Sequence, residues 1–570
     1  MVICGIKLTH DAAIAIMENG VLKCNIEIEK ICNNQRYSSI DDVSVIPEIL
    51  KDNGYDISAI DHFVIDGWLG TGPFWNGPSF LDLRNEGKDI RIQVAPYNET
   101  AIEEDIFTRL YFENKLPIGD QKYAYSSFMH GAGHISSAYC TSPFAEKGQS
   151  AYILTWDGGQ YPRLYFFDAL TSKVQNLGHL FVFLGTIYSI FPQYFGPYKK
   201  SEEELKKDKE KKTIEGFFGG YSVAGKIMSY IALGKVRPEL FGIFSEIYEK
   251  YMQTSNEFEH IFSKRARQII DLENYSDEDV LATLHAYLEN LLILKLKEKI
   301  EKYPFAENNL CFSGGCALNI KWNSAIRSSG IFNEVYIPPF ANDSGSSIGA
   351  ACNEYLYRTN RSVIKWNVYS GPMIKSNGSF PGWSQSPCSL KELAFLLHVS
   401  NEPVVFLNDA AELGPRALGN RSIIAQATSE KMKDLLNRVK RREPFRPVAP
   451  LCLEEDAPGI FDPGCQDPYM LFDHKVREEW KAALPAICHI DGTARLQTVN
   501  RMNNSVVFDL LQEYKKMSGF PLLCNTSANF NGSGFFPDVY SATRWGQLNY
   551  VWSNNLLFTK EVKVDLNLDI

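Results

Sequence analysis

Two histidines four residues apart, His130 and His134 in HGAGH, place two imidazoles on one face of a helix, close enough to share a metal ion. Alone, such a pair is as readily two unrelated histidines. Its company matters: Asp157 closes the apolar run Tyr152–Trp156, and Asp343 stands in the turn PPFANDSGSS. Two imidazoles and two carboxylates suit Fe2+, Mn2+ or Zn2+, and mixed N/O ligation does not choose among them. Glycines follow these positions: Gly158 and Gly159 after Asp157, Gly314 and Gly315 after the strand-like Leu310–Phe312, Gly345 and Gly349 after Asp343. Such turns let backbone N–H groups approach a phosphate, or are simply tight turns. Lys226 beside Gly225 is a cation that meets either a phosphate or solvent.

The second half concentrates cations. ELGPRALGNRS (Glu412–Ser422) is followed by KRREPFRPVAP (Lys440–Pro450), DGTARLQT (Asp491–Thr498) and NTSAN (Asn525–Asn529). Repeated Arg in segments stiffened by Gly and Pro is what bidentate binding of phosphate or carboxylate requires. Arg416, Arg421, Lys440, Arg442, Arg446 and Arg495 are the candidate cations, with Glu412 and Ser422 in the first motif. Asn525, Thr526, Ser527 and Asn529 offer neutral hydrogen bonds. This concentration reads as an anionic nucleotide pocket rather than ordinary surface. Walker A and HExxH signatures are absent from the sequence, and no GxGxxG follows a strand.

The elements that must position these residues follow an α/β pattern. Val2–Ile6 and Ala12–Met17 are apolar runs, Asn19-Gly20 is a hairpin signal, and Val21–Glu29 returns as the partner strand. A helix is expected over Val43–Lys51, ending at Asn53-Gly54, and a strand over Ile60–Ile65. Tyr152–Trp156, Leu164–Phe167 and Val174–Leu177 repeat the strand, acidic turn and hairpin, which points to an internal duplication of the kind shared by actin, sugar kinases and chaperone ATPases. Ser276 is a candidate cap for a long helix reaching about Tyr303. Lys199–Lys212, KKSEEELKKDKEKK, reads as a solvated loop or short helix, with a mobile arm touching a polyanion as the sharper alternative.

At 570 residues the chain implies two to four domains. A formal charge of −10 argues against a whole-surface nucleic-acid binder, though not against a local basic patch. The 12 cysteines are scattered without a CxxC pair, which reads as reduced thiols in a cytoplasmic protein, and the N-terminus lacks a signal-peptide pattern. Asn176–Tyr198 carries no charge, but its apolar core is too short for a membrane span and reads as buried strand and turn.

GPRALGNRS, REPFRPVAP, DGTARLQTV and CNTSAN, together with HDAA, HGAGHISSAY, SGGCALN and ANDSGSSIGAA in the first half, resemble the O-carbamoyltransferase family of nodulation-factor and antibiotic-tailoring enzymes. The resemblance implies a duplicated actin-like ATPase (ASKHA) domain over 1–366, with an insertion near 197–216. This domain is similar to the tRNA threonylcarbamoyl transferase. A linker over 367–387 and a domain over 388–570 of the threonylcarbamoyl-AMP synthase type would follow.

It further implies that carbamoyl phosphate and ATP, with Mg2+, give carbamoyl-AMP on the second-domain residues named above. The carbamoyl group then passes to an acceptor hydroxyl. His10, with Asp11 beside it, is placed at catalysis as the general base. His130, His134, Asp157 and Asp343 would hold a divalent metal, Fe2+ first and Mn2+ or Zn2+ next. Gly158, Gly159, Lys226, Gly314, Gly315 and Asn319 would line the nucleotide.

The sequence also departs from the family pattern. Met129 replaces the first of two adjacent histidines. Glu27–Arg36 replaces EEERFTRxKH, so acceptor-side cations read as lost. Ala410 stands where an Arg is expected, and the segment from Asn531 to Phe536 is altered. The acceptor stands level between a hydroxymethyl pyrimidine in DNA and a small natural product or sugar. A homodimer is one candidate assembly and no membrane partner is expected. The alternatives are a tRNA threonylcarbamoyl transferase and a non-catalytic ATP-binding scaffold.

Overall fold

The computed structural model describes residues 1–32, 36–71, 77–210, 220, 222–253, 257–271, 274–375, 378–530 and 532–561. Parts of several sequence readings fall outside these: residues 33–35 of 27–36, the end of the charged run, residues 376–377 of the 367–387 stretch, Asn531, and 562–570 of the second domain. The chain forms two compact units, Met1–Asn25 with Ser39–Trp366, and Ile26–Ser38 with Asn367–Ile570.

In the first unit, β1 (Val2–Lys7), β2 (Ala13–Glu18), β3 (Val21–Glu27), β4 (His62–Asp66), the hairpin β5 (Ser79–Asn85) and β6 (Lys88–Val94), β7 (Leu110–Ile118) and β8 (Gln121–Phe128) come first. Asn19 and Gly20 both take positive φ, +50° and +80°, as the two-residue turn between β2 and β3 requires. β9 (Ala151–Thr155), β10 (Arg163–Asp168), β11 (Lys173–His179), β12 (Asn309–Ser313) and β13 (Glu334–Tyr336) follow. One sheet runs β3-β2-β1-β4-β8-β7 and the other β11-β10-β9-β12-β13. In both, the leading strand pairs antiparallel with the next strand and parallel with the one returning across the sheet. The expected internal duplication is therefore present in the topology, and the unit has the actin-like ATPase architecture.

Helices fill the crossovers: α1 (Ile46–Asp52), α2 (His130–Cys140), α3 (Glu202–Glu210), α4 (Phe258–Ile270), α5 (Asp277–Lys302), α6 (Ile320–Ser328) and α7 (Ser346–Thr359). Ser276 caps α5 by accepting from Asp279 N. The charged run is helical over α3, where Lys207 pairs with Glu203 at 2.8 Å, Lys200 with Asp208 at 2.7 Å and Glu202 with Lys264 at 3.3 Å. α2 and α7 cross backbone to backbone: a Cβ on Gly349 would lie 2.0 Å from Gly133 O. No helix among the described residues is long and apolar enough to cross a membrane.

The second unit adds α8 (Leu390–Ser400), α9 (Glu430–Val439) and α10 (Ser505–Ser518). Its eight-stranded sheet runs, edge to edge, through Trp383–Pro387, Leu556–Lys560, Tyr550–Ser553, Val404–Leu407, Arg421–Ala425, Leu522–Ser527, Ala449–Leu453 and Gln497–Val499. Side-chain alternation builds two cores: Val404 and Phe406 face α8 and α10, while Val405 and Leu407 face Met432 and Leu436 of α9.

Two readings are corrected here. The stretch 367–387 is part of this unit and supplies its edge strand; Pro387 ends that strand, where a missing N–H is tolerated. β3 stops at Glu27 instead of Glu29, and Ile28–Lys30 is a 3-10 turn whose buried Lys30 donates to Glu27 Oε1 (2.8 Å) and to the carbonyls of Glu412 (2.5 Å) and Gly414 (2.8 Å).

Candidate functional site

In the first unit, the turn after β9 delivers Asp157, the first two turns of α2 deliver His130 and His134, and the turn before α7 delivers Asp343. One ligand atom from each lies within 4.8 Å of all the others, and all four residues are buried. His130 Nε2 and His134 Nε2 are buried without hydrogen-bond partners and lie 3.4 and 3.6 Å from Asp343 Oδ1. Their other nitrogens are engaged: His130 Nδ1 stands 2.7 Å from Asp66 Oδ2, and His134 Nδ1 3.4 Å from Ser313 Oγ. Anchored imidazoles with converging bare nitrogens and two carboxylates are what a divalent ion requires, so the residues fit one. The field seeks a cation: burial opposes protonation of His130, yet Asp66 and Asp343 outweigh it and push the imidazole up to about 9.

Asp157 is held by Gly315 N (2.7 Å, to Oδ1) and Tyr97 OH (2.6 Å, to Oδ2). The two glycine turns thus meet at this carboxylate. Gly314 has φ +92°, and a Cβ there would strike Trp156 O at 2.4 Å. Gly158 O accepts from Thr186 N, and Gly159 lies against Tyr97. His10 Nε2 lies 3.3 Å from Asp343 Oδ2, and burial pulls its imidazole below the ordinary value against the opposing pull of Asp343. Asp11 adopts φ +55° and accepts from Asn342 Nδ2. Asn319 caps α6 by accepting from Lys321 N and Trp322 N. Lys226 stands 5.6 Å over the Tyr198 ring.

In the second unit, cations crowd one another. Burial, then Arg495, Arg36 and Arg446, pull the Arg416 guanidinium far down. Burial, then Arg442, Arg36 and Arg446, do the same to Lys440. Arg442 and Arg495 are pulled down by burial and by Arg446. Arg442 Nε and Nη2 and Arg495 Nε are buried without hydrogen-bond partners. Because arginine stays protonated, the cluster carries a repulsion that a bound polyanion would relieve. A cavity of about 500 Å³ opens beside it, lined by Lys431, Asp434, Asn437, Arg438, Arg442 and Pro444.

Other expected binding groups are committed internally. Arg421 gives its guanidinium to the carbonyls of Asn408, Asn420, Pro372 and Asp409. Glu412 Oε1 accepts from the N–H groups of Leu418, Asn420 and Arg421, and Ser422 Oγ from Gly419 N. These three shape the loop that presents Arg416. Lys440 Nζ reaches Ser527 O (2.7 Å) and Asn529 O (2.8 Å), Ser527 Oγ donates to Asn529 Oδ1, and Asn525 Nδ2 donates to Ala417 O. Thr526 is buried on the same strand.

Comparison with known proteins settles the family. The model described as "Carbamoyltransferase N-terminus" matches residues 2–352, and "Carbamoyltransferase C-terminus" matches 397–560. The chain belongs to the carbamoyltransferase family. It is 45% identical over 584 residues to nodulation protein U of Rhizobium tropici, covering 99% of this chain and 97% of that protein. It is 29% identical over 559 residues to the 3'-hydroxymethylcephem-O-carbamoyltransferase of Streptomyces clavuligerus, covering 96% of each. Among solved structures, the activator of the 2-hydroxyisocaproyl-CoA dehydratase from Clostridium difficile with bound ADPNP aligns over 66% of this chain and 100% of its own at 12% identity, with a TM-score of 0.33, too slight a likeness to carry argument.

Several groups of this carbamoyltransferase escaped sequence reasoning. Lys7 and Asp66 end β1 and β4 as lone charges on otherwise apolar strands, and that was their only signal. Trp68 and Tyr97 surround them: Lys7 Nζ is 4.3 Å from the Trp68 ring centroid, and the Tyr97 ring stacks on His130 at 4.4 Å. Arg36 was not among the candidate cations of the anion cluster. Its segment belongs to the second unit, and its charge bears on Arg416 and Lys440.

Proposed function

We propose that the protein is an ATP-dependent O-carbamoyltransferase working through carbamoyl-AMP, with a small hydroxylated molecule as acceptor. The observation that carries the donor half is the crowd of Arg36, Arg416, Arg442, Arg446 and Arg495, suited to the phosphates of ATP with Mg2+ and of carbamoyl phosphate. Adenylate formation there consumes water and releases pyrophosphate and inorganic phosphate. It turns the carbamoyl carbon into a better electrophile by giving it AMP as leaving group.

In the first unit, His130, His134, Asp157 and Asp343 would hold the divalent ion, which as a Lewis acid supplies charge stabilisation when bound. His10 takes the proton as the acceptor oxygen bonds to the carbamoyl carbon and AMP departs. The internal pairing of Lys200 and Lys207 within the charged run weakens the polyanion-arm reading, which favours the small molecule over DNA. The relative named for a hydroxymethylcephem points the same way. Free cysteines accord with a cytoplasmic setting.

The test is incubation with ATP, Mg2+, carbamoyl phosphate and Fe2+, with pyrophosphate release and acceptor mass followed together. A carbamoyl increment on sugars or other small alcohols is expected. Absence of pyrophosphate release refutes the adenylate route, and an increment only on hydroxymethylcytosine DNA or on tRNA refutes the acceptor class.

A further inference from the structure

Lys7 is an unexpected neighbour for a cation site. Its ammonium is 1% exposed, 3.0 Å from Asp66 Oδ2 and 3.0 Å from Asp343 Oδ2. Asp66 Oδ2 is also the partner of His130 Nδ1 at 2.7 Å. Asp343 Oδ1 faces the bare Nε2 atoms of His130 and His134, while Oδ2 lies against Lys7 and, at 3.3 Å, His10 Nε2. The four side chains Lys7, Asp66, His130 and Asp343 therefore close a ring with one ammonium at its back. Counted as ions, Asp66, Asp157 and Asp343 are offset by a divalent metal plus Lys7, so this lysine is part of the charge balance of a loaded site.

We propose that Lys7 is a positioning residue for carbamoyl transfer: by holding Asp343 Oδ2, it leaves Asp343 to bind the metal through Oδ1 alone and keeps Oδ2 as the partner of His10. The same ammonium, by fixing Asp66, turns His130 so that Nε2 is the nitrogen offered. Without it, Asp343 swings both oxygens onto the ion, and His10 loses the group that aims it. The inference rests on the proposed transfer reaction and deepens it.

The test uses the full-length protein loaded with Co2+ as a probe. X-ray absorption of the wild type is expected to count one oxygen from each carboxylate; a two-oxygen carboxylate there overturns the proposal. In Lys7→Met, the Co2+ visible spectrum is expected to shift to the weaker bands of a higher coordination number. Product formation should fall roughly 100-fold, the usual consequence of displacing a reacting group by about an ångström, while first-turnover pyrophosphate release, a reaction of the second unit, holds. Lys7→Gln keeps one donor for Asp66, guards against a variant that does not fold, and should show the same shift and loss. An unchanged spectrum, or transfer at the wild-type rate, overturns the proposal. Should the wild type carbamoylate nothing, the functional reading fails by itself, and the Co2+ ligand count still decides the role of Lys7.

Discussion

Glu259 makes the stability of the first unit fall with rising pH. Its side chain is buried in α4, and one oxygen accepts from Leu184 N at 2.8 Å. Burial pushes its carboxyl from the ordinary 4.5 up to about 7, with the Leu184 amide pulling the other way. The folded protein thus keeps a proton that the unfolded chain has released, so stability is lost as pH climbs from about 4.5 and levels off above about 7. The gap corresponds to about 3 kcal/mol. Glu259→Gln retains an acceptor for Leu184 N and abolishes the titration.

Urea unfolding followed by tryptophan fluorescence should therefore show the variant close to wild type at pH 5. It should be more stable at pH 8, the difference growing by about 2–3 kcal/mol between the two. The effect reaches the site through the Leu184–Thr186 turn, where Gly185 N donates to Asp157 O at 2.9 Å. A difference independent of pH, or a variant less stable at pH 8, would refute the assignment of a buried, reluctant charge.

Two further outcomes are expected. Gly349→Ala would press a methyl into Gly133 O and part α2 from α7. Thermal unfolding should register a loss of about 2 kcal/mol or more, with Co2+ binding weakened alongside because α2 carries both imidazoles. Arg36→Met should weaken apparent affinity for ATP or carbamoyl phosphate about 10-fold or more, read as pyrophosphate release against substrate concentration; an unaltered curve removes Arg36 from the anion site.

The four candidate ligands could be picked out because His130, His134 and Asp157 each stand next to a glycine and Asp343 two residues from one, all in turns or near the start of a helix, where the local motif is also the chemistry. The duplication was readable from hairpin signals such as Asn19-Gly20. Lys7 and Asp66 were not, because a charge on an apolar strand acquires meaning only from what three other elements bring opposite it. Arg421 and Glu412 misled in the other direction. A buried arginine inside a cationic motif looks like a ligand group, yet its fork is spent on four carbonyls that no local pattern brings together. The strand Trp383–Pro387 hid because an edge strand with a polar sequence and a terminal proline reads as a linker.

The segment Ile26–Ser38 belongs to a unit whose remaining residues begin at Asn367. On a ribosome it emerges before most of the first unit, and the backbone it bonds, Glu412 and Gly414, appears only after the first unit has been synthesised. The second unit therefore cannot mature as an independent late-made domain, as N-to-C order would otherwise allow. A gene cut between residues 352 and 397, where the two family regions part, would yield a C-terminal fragment with the Glu412 and Gly414 carbonyls bare and no Arg36. Supplying residues 26–38 as a separate peptide is the way to make that fragment whole.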